Sequence, residues 1–182
     1  MSVMTKQKGF TLIELLVVIA IIGLLASIVM VSLNSARGKA RVAKAMTELK
    51  QLRTAIYMYY NDASASPPHD HTWDDTCEND MFASRSSSFA PKPSGWAGPY
   101  MPKWPNNPWG YAYHWERNRD GSGRYSISIQ DVTASEAAEL DTKMDNGIAG
   151  SGIITYSGSP ARVEFWGFDD FVSEDTHTTS CP

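Results

Sequence analysis

The chain has 182 residues, enough for one compact domain plus an additional segment, and its formal net charge is −4. That charge is unevenly distributed. Residues 34–62 contain six lysines and arginines against two acidic residues, whereas residues 63–182 contain eight against seventeen aspartates and glutamates. The acidic part is a poor generic binder of nucleic acid, so a nucleic-acid partner stays uncertain. Opposite charges on the two parts favour complementarity between copies or toward a partner, with ordinary solvated surfaces as the alternative.

An apolar segment at residues 10–33 follows a polar leader of nine residues, MSVMTKQKG. As a helix the segment would measure about 36 Å, enough to cross a hydrocarbon core of roughly 30 Å. A secretory signal peptide has a shorter apolar core and a small-residue cleavage site, so this segment is expected to stay in the mature protein. Lys6 and Lys8 favour a cytoplasmic N-terminus, but the basic residues at 37–44 favour the opposite orientation. Charge alone therefore leaves the topology open.

One ionised side chain, Glu14, lies inside the apolar segment. A charge in lipid is costly, which makes Glu14 a functional candidate that needs a partner. Residues 10–33 contain no lysine, arginine or histidine to pair with it. Cleavage after Gly9 would create a partner, because the new α-amine of Phe10 could neutralise Glu14 of a neighbouring copy. The alternative is that Glu14 only extends to the nearer membrane interface.

The stretch KGFTLIELLVVIAIIG, residues 8–23, closely resembles the leader and N-terminal helix of type IV pilins and secretion pseudopilins. The resemblance implies that prepilin peptidase cleaves between Gly9 and Phe10 and methylates the new amine of Phe10. It assigns Glu14 to charge pairing during assembly. It also implies a precursor in the cytoplasmic membrane, an inner-membrane assembly platform, and self-association into an extracellular helical filament. Val31 departs from the family, which commonly has proline there. Without that proline, we expect the apolar segment at residues 10–33 (the stem) to be more continuously helical.

Helical periodicity continues beyond the apolar segment. Apolar residues recur at three-to-four spacing from Val42 to Tyr60, which predicts an amphipathic helix over residues 34–62. Residues 10–62 as one helix would measure roughly 80 Å. The predicted fold is therefore α+β and pilin-like: a long N-terminal helical spine, half in the membrane and half amphipathic, packed against a small antiparallel β-sheet.

Residues 63–109 contain eight of the ten prolines, which excludes long helices and central strands. Four tryptophans argue against disorder and predict an ordered loop packed through its aromatic residues, with exposed contact to carbohydrate or a partner as the alternative. Cys77 in this loop and Cys181 near the C-terminus predict one disulfide in an exported chain, with two buried free thiols as the alternative. The tryptophans are Trp73, Trp96, Trp104 and Trp109.

Residues 110–182 have the pattern of a small antiparallel sheet interrupted by one helix. Two alternating segments, GYAYHW and YSISIQ, flank an Asp-Gly turn. Between the second and third strands, Thr133 and Glu136 form a capping box for a short helix that Gly147 stops. The segment PWGYAY also resembles part of the secretion pseudopilins, more weakly than the N-terminal match. The predicted strands cover residues 110–115, 125–130, 152–157 and 161–168.

No motif in the sequence predicts catalysis: the chain has no G-x-S-x-G segment, no phosphate-binding loop and no Cys–His arrangement. The pair His69 and His71 is expected to be solvated rather than metal-bound. Related secretion pseudopilins bind calcium near their C-terminal strands, but no D-x-[DN]-x-[DN]-G loop occurs here. We therefore predict no cofactor and leave a structural calcium unassigned. The available oxygen ligands are Asp120, Asp141, Asp145, Asp169 and Asp170.

The leading hypothesis is a structural subunit of a type IV pilus. The resemblance to type IV pilins implies adhesion, twitching motility or DNA uptake as the functions of such a filament. Three alternatives stay open. A low-copy minor pilin would bind partners at a filament tip through the tryptophan-rich loop. A type II secretion or competence pseudopilin would form a short piston. A permanently anchored ectodomain would keep Met1 in the mature protein.

Overall fold

A computed structural model describes residues 9–64, 94–117 and 124–168. The described part contains a long helix, a four-stranded antiparallel sheet and a second, short helix, which confirms the predicted α+β architecture. Cys77 and Cys181 lie outside the described residues, so their disulfide stays a prediction. The elements are α1 (Leu12–Ala63), β1 (His114–Arg117), β2 (Tyr125–Val132), α2 (Ala134–Met144), β3 (Ile154–Gly158) and β4 (Ala161–Phe165).

Helix α1 has 52 residues and passes through both of the compact units into which the chain divides, residues 1–39 and 40–182. In the first unit, every described residue up to Arg37 is exposed. The apolar part of α1 is long enough and apolar enough to cross a membrane. Helix α1 continues without a break at Val31, as we expect from valine at a position where the family commonly has proline.

In the second unit, one face of α1 supplies the core. Its buried side chains recur every three or four residues, as the periodicity of the sequence predicts. Tyr59 is fully buried where the pattern had placed Tyr60, which is only partly buried. Each fully buried aliphatic side chain contributes about 1.5–3 kcal/mol through removal of its surface from water. The buried face consists of Val42, Ala45, Leu49, Leu52, Ala55, Ile56 and Tyr59.

The strands are ordered β1-β2-β4-β3, and every neighbouring pair is antiparallel. The alternation of β2 places Tyr125, Ile127 and Ile129 in the core. Opposite Ile127 lie Trp115 on β1 and Phe165 on β4. The sheet therefore supplies the other wall of the core against which the second half of α1 packs.

Strand β1 begins four residues later than the predicted segment 110–115. The backbone turns before it, because the side-chain oxygen of Asn107 accepts hydrogen bonds from the N–H groups of Trp109 and Tyr111 at 2.9 and 3.3 Å. Gly110 provides the required positive φ of 101°. An alternating pattern of aromatic residues is therefore not a strand along its whole length.

Helix α2 begins as predicted. Thr133 is its N-cap, and its hydroxyl accepts the N–H of Glu136 at 3.3 Å. The helix ends at Met144 with Asp145 as its C-cap, and Gly147 follows two residues after the cap with a φ of +74°. The predicted strand at 161–168 is shorter than expected, since β4 ends at Phe165 and Trp166 instead donates its N–H to the carbonyl of Ile153.

We expect Leu49→Ala to lower the free energy of unfolding by about 2–5 kcal/mol, because the fully buried side chain leaves a cavity between α1 and the sheet. Urea unfolding of the full chain in detergent, followed by tryptophan fluorescence, measures this loss. Met58→Ala is the matched control, since Met58 lies on the same helix and is half exposed. An equal loss in the two variants would contradict the described packing of α1.

Candidate functional site

The first site lies at the start of α1, around Thr11 and Glu14. Thr11 donates both its backbone N–H and its hydroxyl to Oε2 of Glu14, each at 2.8 Å. In return, the hydroxyl oxygen of Thr11 accepts the N–H of Glu14 at 3.2 Å. This reciprocal arrangement is a capping box, in which threonine precedes the first turn and glutamate occupies its third position.

Sequence reasoning assigned Glu14 to charge pairing only and missed this intrachain role. The signal was present, because T-L-I-E has the spacing of T-A-S-E, which was recognised at Thr133. Both contacts from Thr11 use one oxygen of Glu14. The other, Oε1, has no hydrogen-bond or ionic partner among the described residues. Glu14 can therefore start its own helix and still accept a donor from outside.

Gly9 and Phe10 precede the cap. Phe10 is 89% exposed, and a Cβ atom added at Gly9 would meet no other atom within 4 Å. Folding of the described residues therefore gives no reason for a glycine at this position. The predicted cleavage and methylation at these two residues, and the pairing of Glu14, stay predictions on this geometry.

The apolar part of α1 also carries Gly23 and Ser27. A Cβ atom at Gly23 would meet nothing within 4 Å. The hydroxyl of Ser27 donates to the carbonyl of Gly23 at 2.9 Å, so the serine is satisfied within its own helix. Two small residues one turn apart form a surface that another helix can approach closely.

A second polar cluster, centred on Glu136, joins three parts of the second unit. Arg41 on α1 contacts Oε1 at 2.7 Å, while Trp109 and Thr133 donate to Oε2 at 2.9 and 2.7 Å. Glu136 is only 5% exposed. Burial raises the pKa of Glu136, but hydrogen bonds from Thr133, Trp109 and Arg41, together with the charge of Arg41, outweigh it and leave that pKa lowered. The cluster is structural, and it gives the tryptophan of PWGYAY a role in packing.

A third cluster lies across the sheet. Arg162 on β4 contacts the carboxylates of Glu116 and Glu164 and the hydroxyl of Ser128. Burial raises the pKa of Glu164 in spite of the opposing effect of Arg162. All three partners of Arg162 are buried, so its positive charge compensates carboxylates that water cannot solvate.

Within the described residues, no group of three or more His, Cys, Asp and Glu side chains comes together to hold a metal ion. Asp141 and Asp145 instead accept backbone N–H groups of the following loop, from Gly147 at 3.2 Å and Ile154 at 3.1 Å. The structural calcium therefore stays unassigned. The other candidate ligands, Asp120, Asp169, Asp170, His69 and His71, lie outside the described residues.

We expect Glu136→Gln to lower the free energy of unfolding by about 1–3 kcal/mol near neutral pH, because hydrogen bonds to a buried charged group are lost. A carboxylate whose pKa is lowered by folding stabilises the protein above its unfolded pKa, and that contribution disappears as the pH falls through its folded pKa. The difference from the wild type should therefore shrink below about pH 4. Urea unfolding as a function of pH measures it.

The matched control is Glu139→Gln, also on α2, where the carboxylate makes only a partly exposed ion pair with Lys143. Its effect should be below about 1 kcal/mol. A difference between Glu136→Gln and the wild type that is the same at acid and neutral pH would contradict the ionised state of Glu136 in the cluster.

Comparisons with known proteins match the apolar segment and most of the second unit to two family models. The model described as the prokaryotic N-terminal methylation motif matches residues 4–30. The model described as type II secretion system (T2SS), protein G matches residues 32–141, which is more than half of the chain. The second match ends within α2, so β3 and β4 lie beyond it.

Curated relatives agree with these models. The type II secretion system core protein G of Vibrio cholerae serotype O1 is 35% identical over 116 residues, covering 63% of this chain and 74% of that protein. The Aeromonas hydrophila protein of the same name is 36% identical over 110 residues, covering 59% of this chain and 71% of that protein. The Klebsiella pneumoniae protein is 37% identical over 112 residues, covering 60% and 74%. These relatives favour the alternative hypothesis of a secretion pseudopilin over the leading hypothesis of a type IV pilus subunit. With a processing motif, a capped apolar helix and a sheet-packed second half in one polypeptide, the chain belongs to the protein G family of type II secretion pseudopilins.

Proposed function

We propose that the chain is the repeating subunit of a short filament that acts in type II protein secretion. Prepilin peptidase removes residues 1–9 and methylates the amine of Phe10. The precursor is held in the cytoplasmic membrane by residues 10–33, and an assembly platform in that membrane transfers it into a helical polymer of identical chains. Head-to-tail contacts that do not close produce such open filaments.

The observation that carries the proposal is the unengaged oxygen of Glu14 on an otherwise apolar, exposed helix. A carboxylate in apolar surroundings needs a cation, and the described part of α1 offers none near it. The methylated amine of Phe10 on a neighbouring copy supplies that charge. Because only one axial offset between two stems brings the two groups together, the pair sets the register of the polymer.

The apolar stem supports the same proposal. Its side chains are exposed on all sides, so after extraction from the membrane they need another apolar environment. Stems of neighbouring copies provide it. Gly23 and Ser27 allow those helices to approach closely without leaving a polar group unsatisfied.

The alternative of a low-copy tip subunit depends on exposed tryptophans. Trp104 donates its indole N–H to the carbonyl of Tyr113 at 2.6 Å, and Trp96 packs edge-on against Tyr100. With Trp109 bound to Glu136, the three described tryptophans of the loop at residues 63–109 all contribute to packing. The described residues therefore give no support for a binding surface of this kind.

We expect the mature chain to begin at Phe10 and to carry one methyl group on its amine when it is produced with a prepilin peptidase. Gly9→Leu should prevent cleavage without disturbing the fold, because space around Gly9 is open. Gly23→Ala is the matched control, since space around Gly23 is equally open, and it should be cleaved normally. Intact-protein mass spectrometry measures both. A mature wild-type chain that keeps Met1 would support the permanently anchored ectodomain instead.

Two substitutions separate the roles of Glu14. Glu14→Gln keeps a capping box, because glutamine serves as well as glutamate at its third position, but removes the charge. Thr11→Ala removes the cap and keeps the charge. We expect Glu14→Gln to lower filament yield by about tenfold or more, since a charge-assisted contact is lost at every subunit interface. Thr11→Ala should lower it less.

Sedimentation and electron microscopy of filaments measure that yield, with cleavage of each variant followed in parallel. Both variants should be cleaved as the wild type is. Normal filaments from Glu14→Gln together with few from Thr11→Ala would show that Glu14 acts as a cap alone, and the proposed pairing would be wrong.

A further inference from the structure

The loop between α2 and β3 is held in one conformation by its own hydrogen bonds. Asp145 accepts the N–H of Ile154 at 3.1 Å, which joins the start of the loop to the start of β3. Ser151 donates its N–H to the carbonyl of Ile148 at 3.1 Å. Gly147 has a φ of +74°, and a Cβ atom there would lie 3.2 Å from the hydroxyl of Thr142. The fold therefore requires glycine at this position.

Three contacts converge on the dipeptide Asn146–Gly147. The N–H of Gly147 donates to Oδ1 of Asp141 at 3.2 Å. The N–H of Ile148 donates to the side-chain oxygen of Asn146 at 2.7 Å. The side-chain nitrogen of Asn146 donates to the hydroxyl of Ser151 at 3.1 Å. The carboxylate of Asp141 thus contacts the nitrogen of Gly147, the N–H of Ile148 contacts the side-chain oxygen of Asn146, and the hydroxyl of Ser151 contacts its side-chain nitrogen. These three atoms are the nucleophile, the carbonyl oxygen and the leaving group of one intramolecular reaction.

We propose that Asn146 is a site of self-modification, at which the fold promotes cyclisation to a succinimide. The backbone nitrogen of Gly147 attacks Cγ of Asn146, so that an N–Cγ bond forms and the Cγ–Nδ2 bond breaks. The proton of the Gly147 nitrogen passes to the carboxylate of Asp141 and then to the departing amine, which leaves as ammonia. Water later opens the ring, giving aspartate or isoaspartate at position 146.

Each of the three neighbours has a defined role. Asp141 is fully buried, and its Oδ2 has no hydrogen-bond partner among the described residues, so few donors compete with the nitrogen of Gly147 for its charge. It acts as the general base. The N–H of Ile148 stabilises negative charge that develops on the side-chain oxygen of Asn146. The hydroxyl of Ser151 accepts a hydrogen bond from the side-chain nitrogen of Asn146 and so orients the departing group.

Because Gly147 has no Cβ, its nitrogen is not hindered from attacking Cγ of Asn146, and the positive φ prevents replacement of that glycine without strain. Asn146 and Gly147 are both exposed, so water reaches the product. This is also the one Asn-Gly dipeptide in the sequence. Conversion removes the Asn146–Ser151 contact and adds a negative charge beside Asp141 and Asp145. It therefore loosens the loop that positions the first residue of β3.

The test is the rate of conversion at Asn146 in the full chain, kept in detergent at neutral pH and followed by peptide mass spectrometry with isoaspartate detection. The same chain in urea is the reference, because it has the sequence without the loop. General-base assistance predicts conversion at least about tenfold faster in the folded chain. Asp141→Asn should abolish the advantage, and Ser151→Ala should reduce it. Asn34, exposed on α1 and followed by serine, is an internal control that should stay unmodified.

Because Asp141 is buried, the Asp141→Asn variant is interpreted only if its tryptophan fluorescence matches that of the wild type. Should that variant fail to fold, the comparison of folded and urea-treated wild type and the exposed Ser151→Ala variant still decide the matter. Conversion that is equal or slower in the folded chain would show that the loop protects Asn146, and the proposal would be overturned.

Discussion

The rest of the structure depends on one constraint: the two parts of α1 have different apolar surfaces, and each must be shielded from water in a different way. The first part of α1 is apolar on every side and has no cover within the described residues, whereas the second part is apolar on one face, which the sheet buries. A helix that is apolar all round requires an apolar environment from outside. The membrane and neighbouring stems are the two environments available, so storage and assembly follow from the same pattern of side chains.

Within that helix the position of Glu14 is not arbitrary. Glutamate at the third position of a helix is favoured by the unpaired backbone N–H groups and by the positive end of the helix dipole. Thr11 adds two donors. The charge is thus partly neutralised by its own helix before any partner arrives, which makes its presence in the membrane tolerable. The proposed cleavage just before Phe10 would place the new amine within one turn of the same cap.

Local patterns predicted the elements that local chemistry determines. The period-two alternation of residues 125–130 gave β2 with its buried face, and the T-x-x-E spacing gave the start of α2. The misplaced start of β1 has a local cause too, but the bonds of the Asn107 side chain cannot be read from an alternating aromatic pattern. Contacts between distant residues, such as Arg41 with Glu136, left no trace in the sequence. The capping role of Glu14 could have been predicted from the T-x-x-E spacing, but Glu14 was interpreted only as a charge in an apolar segment.

The two capping boxes of the chain show what a glutamate at this position does with its second oxygen. In α2, Oε2 of Glu136 binds the cap residue Thr133 and Trp109, and Oε1 binds the guanidinium of Arg41. In α1, Oε2 of Glu14 takes both donors from Thr11, and no cation of the described residues reaches Oε1. The glutamate of the capping box therefore has a cationic partner in α2, whereas in the apolar part of α1 it has none among the described residues. In the proposed assembly, the amine of Phe10 from a second molecule would supply the cation that Oε1 of Glu14 lacks.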